Sequence, residues 1–122
     1  MFLSIKKDRE FKRVYSQGKY VSDNLFVVCA CGNGLTETRV GIVVSKKVGG
    51  AVTRNRIKRW VKASFRTLPA KPSEGQGMDV IFIARAPVGQ LCGKGVFAEV
   101  EKTVHKMFAR ARKRINNSKD AK

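Results

Sequence analysis

The chain has 122 residues, 43% of them hydrophobic, which is enough for one core without disulfide or metal staples and excludes a disordered polycation. Lys and Arg total 26 against 9 Asp and Glu, a net charge of +17. Self-repulsion on that scale weakens a compact state until a polyanion takes up the field; nucleic acid is the first such partner to weigh, an anionic membrane surface the second.

In chain order, Met1-Phe2-Leu3-Ser4-Ile5-Lys6-Lys7 turns charged too early for a signal peptide. No later apolar run approaches the ~20 residues of a membrane span, so a cytoplasmic protein with no membrane partner is expected. A short first helix follows, with Asp8 as its N-cap and Phe11, Val14 and Tyr15 on one face. Gly18 is expected to end it in the left-handed conformation. Phe11 and Val14 read as core; Tyr15, whose hydroxyl prefers a wet edge, is equally suited to core or to stacking on a base.

Residues 20–31 are rich in β-branched and aromatic side chains, and Thr38 to Ser45 resumes the pattern with Val40, Ile42 and Val44 on one face. Gly32-Asn33-Gly34 between them is turn chemistry, so these two segments are expected to pair as a hairpin. Lys46-Lys47-Val48-Gly49-Gly50 is a basic turn into a second helix capped near Thr53, along which Ile57, Val61, Ser64, Phe65 and Leu68 recur at helical spacing. Pro69 and Pro72 stop that helix, and Ser73 to Gly77 form a loop. Met78 to Ala84 is apolar on both faces, as a strand inside a sheet would be. In the last helix Val96, Val100, Val104, Met107, Phe108, Ala111 and Ile115 make one stripe, with Lys102, Lys106, Arg110 and Lys113 away from its centre.

The fold class predicted is therefore α+β, a single-domain sandwich of a small mixed sheet with helices. Its order is helix, strand, strand, helix, strand, helix, with room for one more short strand within residues 19–31. One domain over residues 1–115, its charge suited to nucleic acid, and a disordered polar tail over 116–122 complete the organisation.

The second helix carries the chemistry. At roughly 100° per residue, Ile57, Trp60, Val61, Phe65 and Leu68 occupy one arc, and Arg54, Lys58, Lys62, Asn55, Arg66 and Arg59 a neighbouring one, with Arg56 beyond Arg59. No acid interrupts residues 51–73. A solvated helix face ordinarily mixes signs, because i, i+4 ion pairs add a few tenths of a kcal/mol. A cation-only row opposes folding until it meets phosphate, to which Arg offers bidentate hydrogen bonds. DNA remains open on this ground alone, although a helix-turn-helix would need a second helix close by where strands are found here; single-stranded RNA suits a mixed α/β sheet with aromatic residues.

No catalytic constellation is evident. The nine acids, Asp8, Glu10, Asp23, Glu37, Glu74, Asp79, Glu99, Glu101 and Asp120, are scattered. Cys29-Ala30-Cys31 is no CxxC motif, and His105, the only histidine, falls opposite the apolar stripe of its helix and is expected to face solvent.

The run from Gly41 to Arg59, with Ser45-Lys46-Lys47, Arg54-Asn55-Arg56 and Ile57-Lys58-Arg59, resembles the signature of the bacterial ribonuclease P protein subunit. Phe11-Lys12-Arg13-Val14-Tyr15 with Gly18 resembles that family's first helix, and Asp79 to Arg85 its later strand. The likeness covers about residues 4 to 113. It implies a left-handed β-α-β crossover, an exception to the general rule. It also implies an endoribonuclease holoenzyme that cuts the 5′ leader from precursor tRNA, with catalysis and the Mg2+ ions belonging to the RNA subunit. The protein binds no cofactor by itself and is presumed to pair 1:1 with that RNA. Carried over by motif, Lys46, Lys47, Arg54, Asn55, Arg56, Lys58, Arg59 and Lys62 would contact the RNA subunit. Phe11, Tyr15, Val27 and Cys29 would line a cleft for the leader, Cys29 standing where the family often has an aromatic residue. The rival reading is a ribosomal or general structural RNA-binding protein without an enzymatic partner.

Overall fold

The computed structural model describes residues 3–68 and 77–120. Five strands and three helices follow in order: β1 (Leu3–Ser4), α1 (Asp8–Gln17), β2 (Lys19–Ser22), β3 (Phe26–Gly32), β4 (Arg39–Val43), α2 (Ala51–Arg66), β5 (Met78–Ala84) and α3 (Val96–Asp120). A 3-10 turn at Ala86–Gln90 precedes α3. The predicted α+β sandwich is borne out, and the extra short strand within residues 19–31 is β2.

The sheet order is β1-β4-β5-β3-β2, so the hairpin expected between β3 and β4 does not form. β5 lies between them, parallel to β4 and antiparallel to β3. Its apolar residues on both faces require that interior place. The turn chemistry at Gly32-Asn33-Gly34 serves a wider loop instead. Gly34 takes a left-handed φ of 72°. Asn33 accepts from the Leu35 N–H at 2.8 Å and donates to the Glu37 carbonyl at 3.0 Å. The true hairpin is β2–β3, closed at Asp23, whose carboxylate accepts from the N–H groups of Leu25 and Phe26.

Each face of the sheet has its own core. Phe26, Val28, Val40, Val80 and Phe82 point toward α2 and α3 and meet Ile57, Val61, Phe65, Val100, Val104 and Met107. Edge-to-face rings run through this layer, Phe26 on Phe82 at 5.7 Å, Phe82 on Phe65 at 5.3 Å and Phe65 on Phe108 at 6.0 Å. On the opposite face α1 covers a smaller cluster of Ile5, Val14, Cys29, Cys31 and Ile81. The stripe read along α3 is the buried one, and the helix continues through Asp120, past residue 115 where the apolar pattern ends.

The helix ends differ from expectation. Asp8 is the first helical residue of α1 rather than its cap, and Glu10 Oε1 reaches back to accept from the N–H groups of Lys6 and Lys7, both at 3.2 Å. Gly18 is extended (φ −80°, ψ 164°), not left-handed. It is glycine because a Cβ there would meet the Val14 carbonyl and come within 2.7 Å of Cys29 Sγ, so it lets the chain pass close over β3. α2 starts two residues before Thr53, with Gly50 at the cap position, while the Thr53 side chain packs on Gly49. α2 ends at Arg66, ahead of Pro69 and Pro72; those prolines and the loop expected from Ser73, short of Gly77, lie outside the described residues. His105 does not face solvent freely: its Nε2 donates to the Ser64 carbonyl at 2.9 Å and so ties α3 to the last turn of α2.

Candidate nucleic-acid interface

Strand register divides the α1 face of the sheet into rows. Arg39, Asp79 and Cys31 form one, Gly41, Ile81, Cys29 and Tyr20 the next, and Val43, Ile83, Val27 and Ser22 the last. α1 lies along the middle row. Phe11 sits on Gly41, where a Cβ would come within 2.7 Å of its ring, and Gly18 sits against β3 at the other end. Val14, fully buried, is the centre of the contact.

The two flanks of α1 differ. On one, Glu10 and Arg13 join a half-exposed ionic network centred on one buried carboxylate. The Asp79 side chain is wholly buried and accepts from Arg13 at 2.8 Å, from Arg39 at 2.8 and 2.6 Å, and from Asn33 at 2.9 Å. Arg39 also pairs with Glu10 at 2.6 Å. Burial alone would raise the Asp79 pKa, but the hydrogen bonds from Arg39, Asn33 and Arg13 outweigh it and hold the carboxyl below its ordinary value. The two acids found here are neutralised by two arginines, and no group of three metal-ligating side chains occurs among the described residues.

On the other flank Phe11 and Tyr15 stand one turn apart, ring centroids 6.5 Å, at the border of the last row. Val27, Val43 and Ile83 in that row are only partly buried. An open apolar strip therefore runs beside an aromatic edge, with β4 and β5 both ending there. Lys46 and Lys47, exposed, follow directly from β4, and the exposed Arg85 follows β5. Cys29 is not part of that surface. It is fully buried beneath α1 with its thiol donating to the Val14 carbonyl at 3.2 Å, and burial pushes its pKa up.

α2 begins at the same end of the sheet. Asn55, Arg56, Arg59, Lys62 and Arg66 form its exposed arc, joined by Val52, which is 72% exposed. Arg54 and Lys58 are half-buried along the edge of the packed arc, and Arg54 Nε is buried without a hydrogen-bond partner. Arg54 thus belongs less to the outward row than its place on the wheel suggested. No ion pair among the described residues engages a cation of α2. Gly50 brings no capping side chain, and no acid lies in the first turn, so the positive end of the helix dipole adds to the field.

A sequence model of the family described as Ribonuclease P matches residues 2–112. The chain belongs to the ribonuclease P protein family. A ribonuclease P protein component of Caldanaerobacter subterraneus is 42% identical over 84% of this chain and 86% of its own. One of Clostridium kluyveri is 41% identical over 88% and 92%. Among solved structures, a Staphylococcus aureus RNase P protein mutant with defective mRNA degradation activity superposes with a TM-score of 0.76 at 33% identity, covering 89% of this chain and 87% of that one. The RNase P protein from Thermotoga maritima gives 0.72 at 29% identity, covering 90% and 96%. Ribonuclease P is an endoribonuclease holoenzyme in tRNA processing, and this chain is a subunit of it.

Of the residues assigned to this ribonuclease P subunit's two surfaces, Lys46, Lys47, Asn55, Arg56, Arg59 and Lys62 are exposed, Phe11 and Tyr15 stand ring beside ring, and Val27 lies half-buried in the open row. The ionic network was not foreseen, since Glu10, Arg13, Asn33, Arg39 and Asp79 are far apart in sequence. Its signal was a charged residue, Asp79, in an otherwise apolar interior strand, because a buried charge requires partners. Val43 and Ile83 were likewise missed, for want of the register that aligns them with Val27.

Proposed function

We propose that this chain anchors itself to the catalytic RNA subunit through the outward arc of α2 and the Lys46-Lys47 turn, and holds the 5′ leader of precursor tRNA on the apolar strip beside Phe11 and Tyr15. One observation carries the reading: a cation-only helix face and a half-open, aromatic-edged sheet face adjoin at the end where β4 and β5 stop. The first offers charge for structured RNA backbone, where phosphate contacts supply affinity without sequence. The second offers flat apolar surface, which suits unpaired bases.

In this reading the phosphodiester is hydrolysed at the RNA, which holds the Mg2+ ions, and the chain binds none by itself. Its own side chains neutralise backbone charge and fix the leader, so that the cleavage site lies against the RNA's reactive centre. The complex is taken as 1:1 and cytoplasmic; no helix among the described residues is long and apolar enough to cross a membrane.

The test is leader cleavage by the cognate RNA subunit at low magnesium, with and without the chain. Stimulation is expected with precursor tRNA, and a smaller one with substrate carrying a single leader nucleotide. No stimulation of either substrate refutes the reading.

A further inference from the structure

Tyr20 lies on the edge strand β2, directly opposite the buried Cys29 and on the same row as Ile81 and Gly41. Val21, the next residue, turns to the other face and is buried under α3, which fixes Tyr20 to the α1 face. There its hydroxyl donates to the Tyr15 carbonyl at 3.0 Å, near the end of α1. The Cys29 thiol beside it pushes its pKa up to about 12. The ring is therefore held by strand and helix together, yet 44% of the residue is exposed, more than Tyr15 at 38%.

A large apolar ring held in place and left open asks for a partner. Phe11 stands over β4 and Tyr20 on β2, with Tyr15 between them on α1, so the three follow one row across four strands. At a strand spacing of ~4.8 Å the line is roughly 14 Å long. Along its whole length it borders the row of Val43, Ile83, Val27 and Ser22. We infer that Tyr20 is a third base-stacking residue, which extends the leader-binding surface to the far edge of the sheet and supplies there the ring that Cys29, buried beneath it, cannot. This rests on the proposed placement of the leader. The occupant is single-stranded RNA because the edge is aromatic, the strip is apolar and cations border both, with Lys12 exposed on α1 and Lys46 and Lys47 exposed beyond the end of β4.

The experiment compares holoenzymes reconstituted with the cognate RNA subunit, measuring affinity for precursor tRNA and for mature tRNA. Tyr20→Leu keeps the apolar bulk and removes the ring, while Tyr20→Phe keeps the ring. Tyr20→Leu should weaken precursor binding by about fivefold to a hundredfold, the range of one lost base stack, and leave mature tRNA binding unchanged. Tyr20→Phe should recover most of the loss. Phe11→Leu is run alongside. If it weakens precursor binding and Tyr20→Leu does not, the assignment of Tyr20 is wrong and the cleft stands. If neither has an effect, the cleft reading falls and takes Tyr20 with it. The unaltered holoenzyme provides a second measurement, photocrosslinking to a leader bearing 4-thiouridine. Adducts at Tyr20 support the assignment, and adducts at Phe11 or Tyr15 with none at Tyr20 overturn it.

Discussion

On the face of the sheet that carries α2 and α3, apolar side chains from four strands, two helices and the 3-10 turn interlock, and the four phenylalanines make a continuous edge-to-face chain. On the α1 face a ten-residue helix covers two rows and leaves the third open. The first face gains its stability from buried apolar area and close packing. The second has little apolar area to spend, and holds its helix by directional charge-assisted hydrogen bonds to Asp79 on one flank. A binding strip needs an open row and a wall in a fixed place, and a helix pinned along one flank provides both. The difference shows where an open strip is available: on the less covered face, where a buried carboxylate supplements a smaller core.

The largest effect should come from removing that carboxylate. Asp79→Ala leaves Arg13 and Arg39 facing each other without their shared partner and should destabilise the fold by about 3 kcal/mol in urea unfolding. Acid should mimic it in part. Because the folded pKa of Asp79 is depressed, its contribution is fully present above the ordinary aspartate range and is lost as pH falls through the lower folded value. Glu10 is also held low, by the backbone N–H groups of Lys7 and Lys6 ahead of the Arg39 charge, and acts in the same direction. Thermal melts of Asp79→Asn should therefore show a shallower loss of stability below about pH 4 than the unaltered chain. An equal slope in both would mean that Asp79 is not the group that couples the fold to acid.

A smaller effect separates stability from binding on the α1 face. Gly41→Ala places a methyl within 2.7 Å of the Phe11 ring. The ring edge is the far end of a movable side chain, so the stability loss should stay near 1 kcal/mol. The aromatic wall, however, shifts with it, and precursor tRNA affinity should fall roughly fivefold, the low end of a lost stack. Binding of the RNA subunit alone should not change. A parallel loss in both affinities would show that the two surfaces are not separate.

How much of this could be read in the sequence follows the same division. The α2–α3 side was legible because its stripes are periodic: Ile57, Val61 and Phe65, and Val100, Val104 and Met107, are buried as spaced. The interior place of β5 was written in its two apolar faces. The strand order was not, because Gly32-Asn33-Gly34 signals a turn without saying which strands it joins, and β5, more than 40 residues on, is the one that pairs with β3. The site divides likewise. Lys46, Lys47, Asn55, Arg56, Arg59 and Lys62 form contiguous or helical runs, so a shared exposed cationic face could be anticipated from spacing alone. Asp79, Arg13 and Arg39 meet only through tertiary structure. Tyr20 was passed over because a tyrosine in a strand is ordinary until register sets it opposite a buried cysteine.

Within α2 the same contrast between open and covered positions sets the smallest and most local expectation. Arg59 stands at the centre of the exposed arc, whereas Arg54 is half-buried against the packed edge. Each phosphate contact releases counterions, so Arg59→Ala should reduce the slope of log affinity against log salt, for the RNA subunit, by about 0.7–0.9. Stability should be almost unaffected, since the residue makes no ion pair among the described residues. Arg54→Ala should change the slope less and stability more. Lys106→Ala is the control: it removes an exposed cation of α3 that already faces Asp23 at 3.6 Å, and the slope should not move. If Lys106→Ala lowers the slope as much as Arg59→Ala, the RNA is reading net charge rather than the face of α2. If Arg59→Ala alone lowers it, the arc is a surface with a defined register on the RNA.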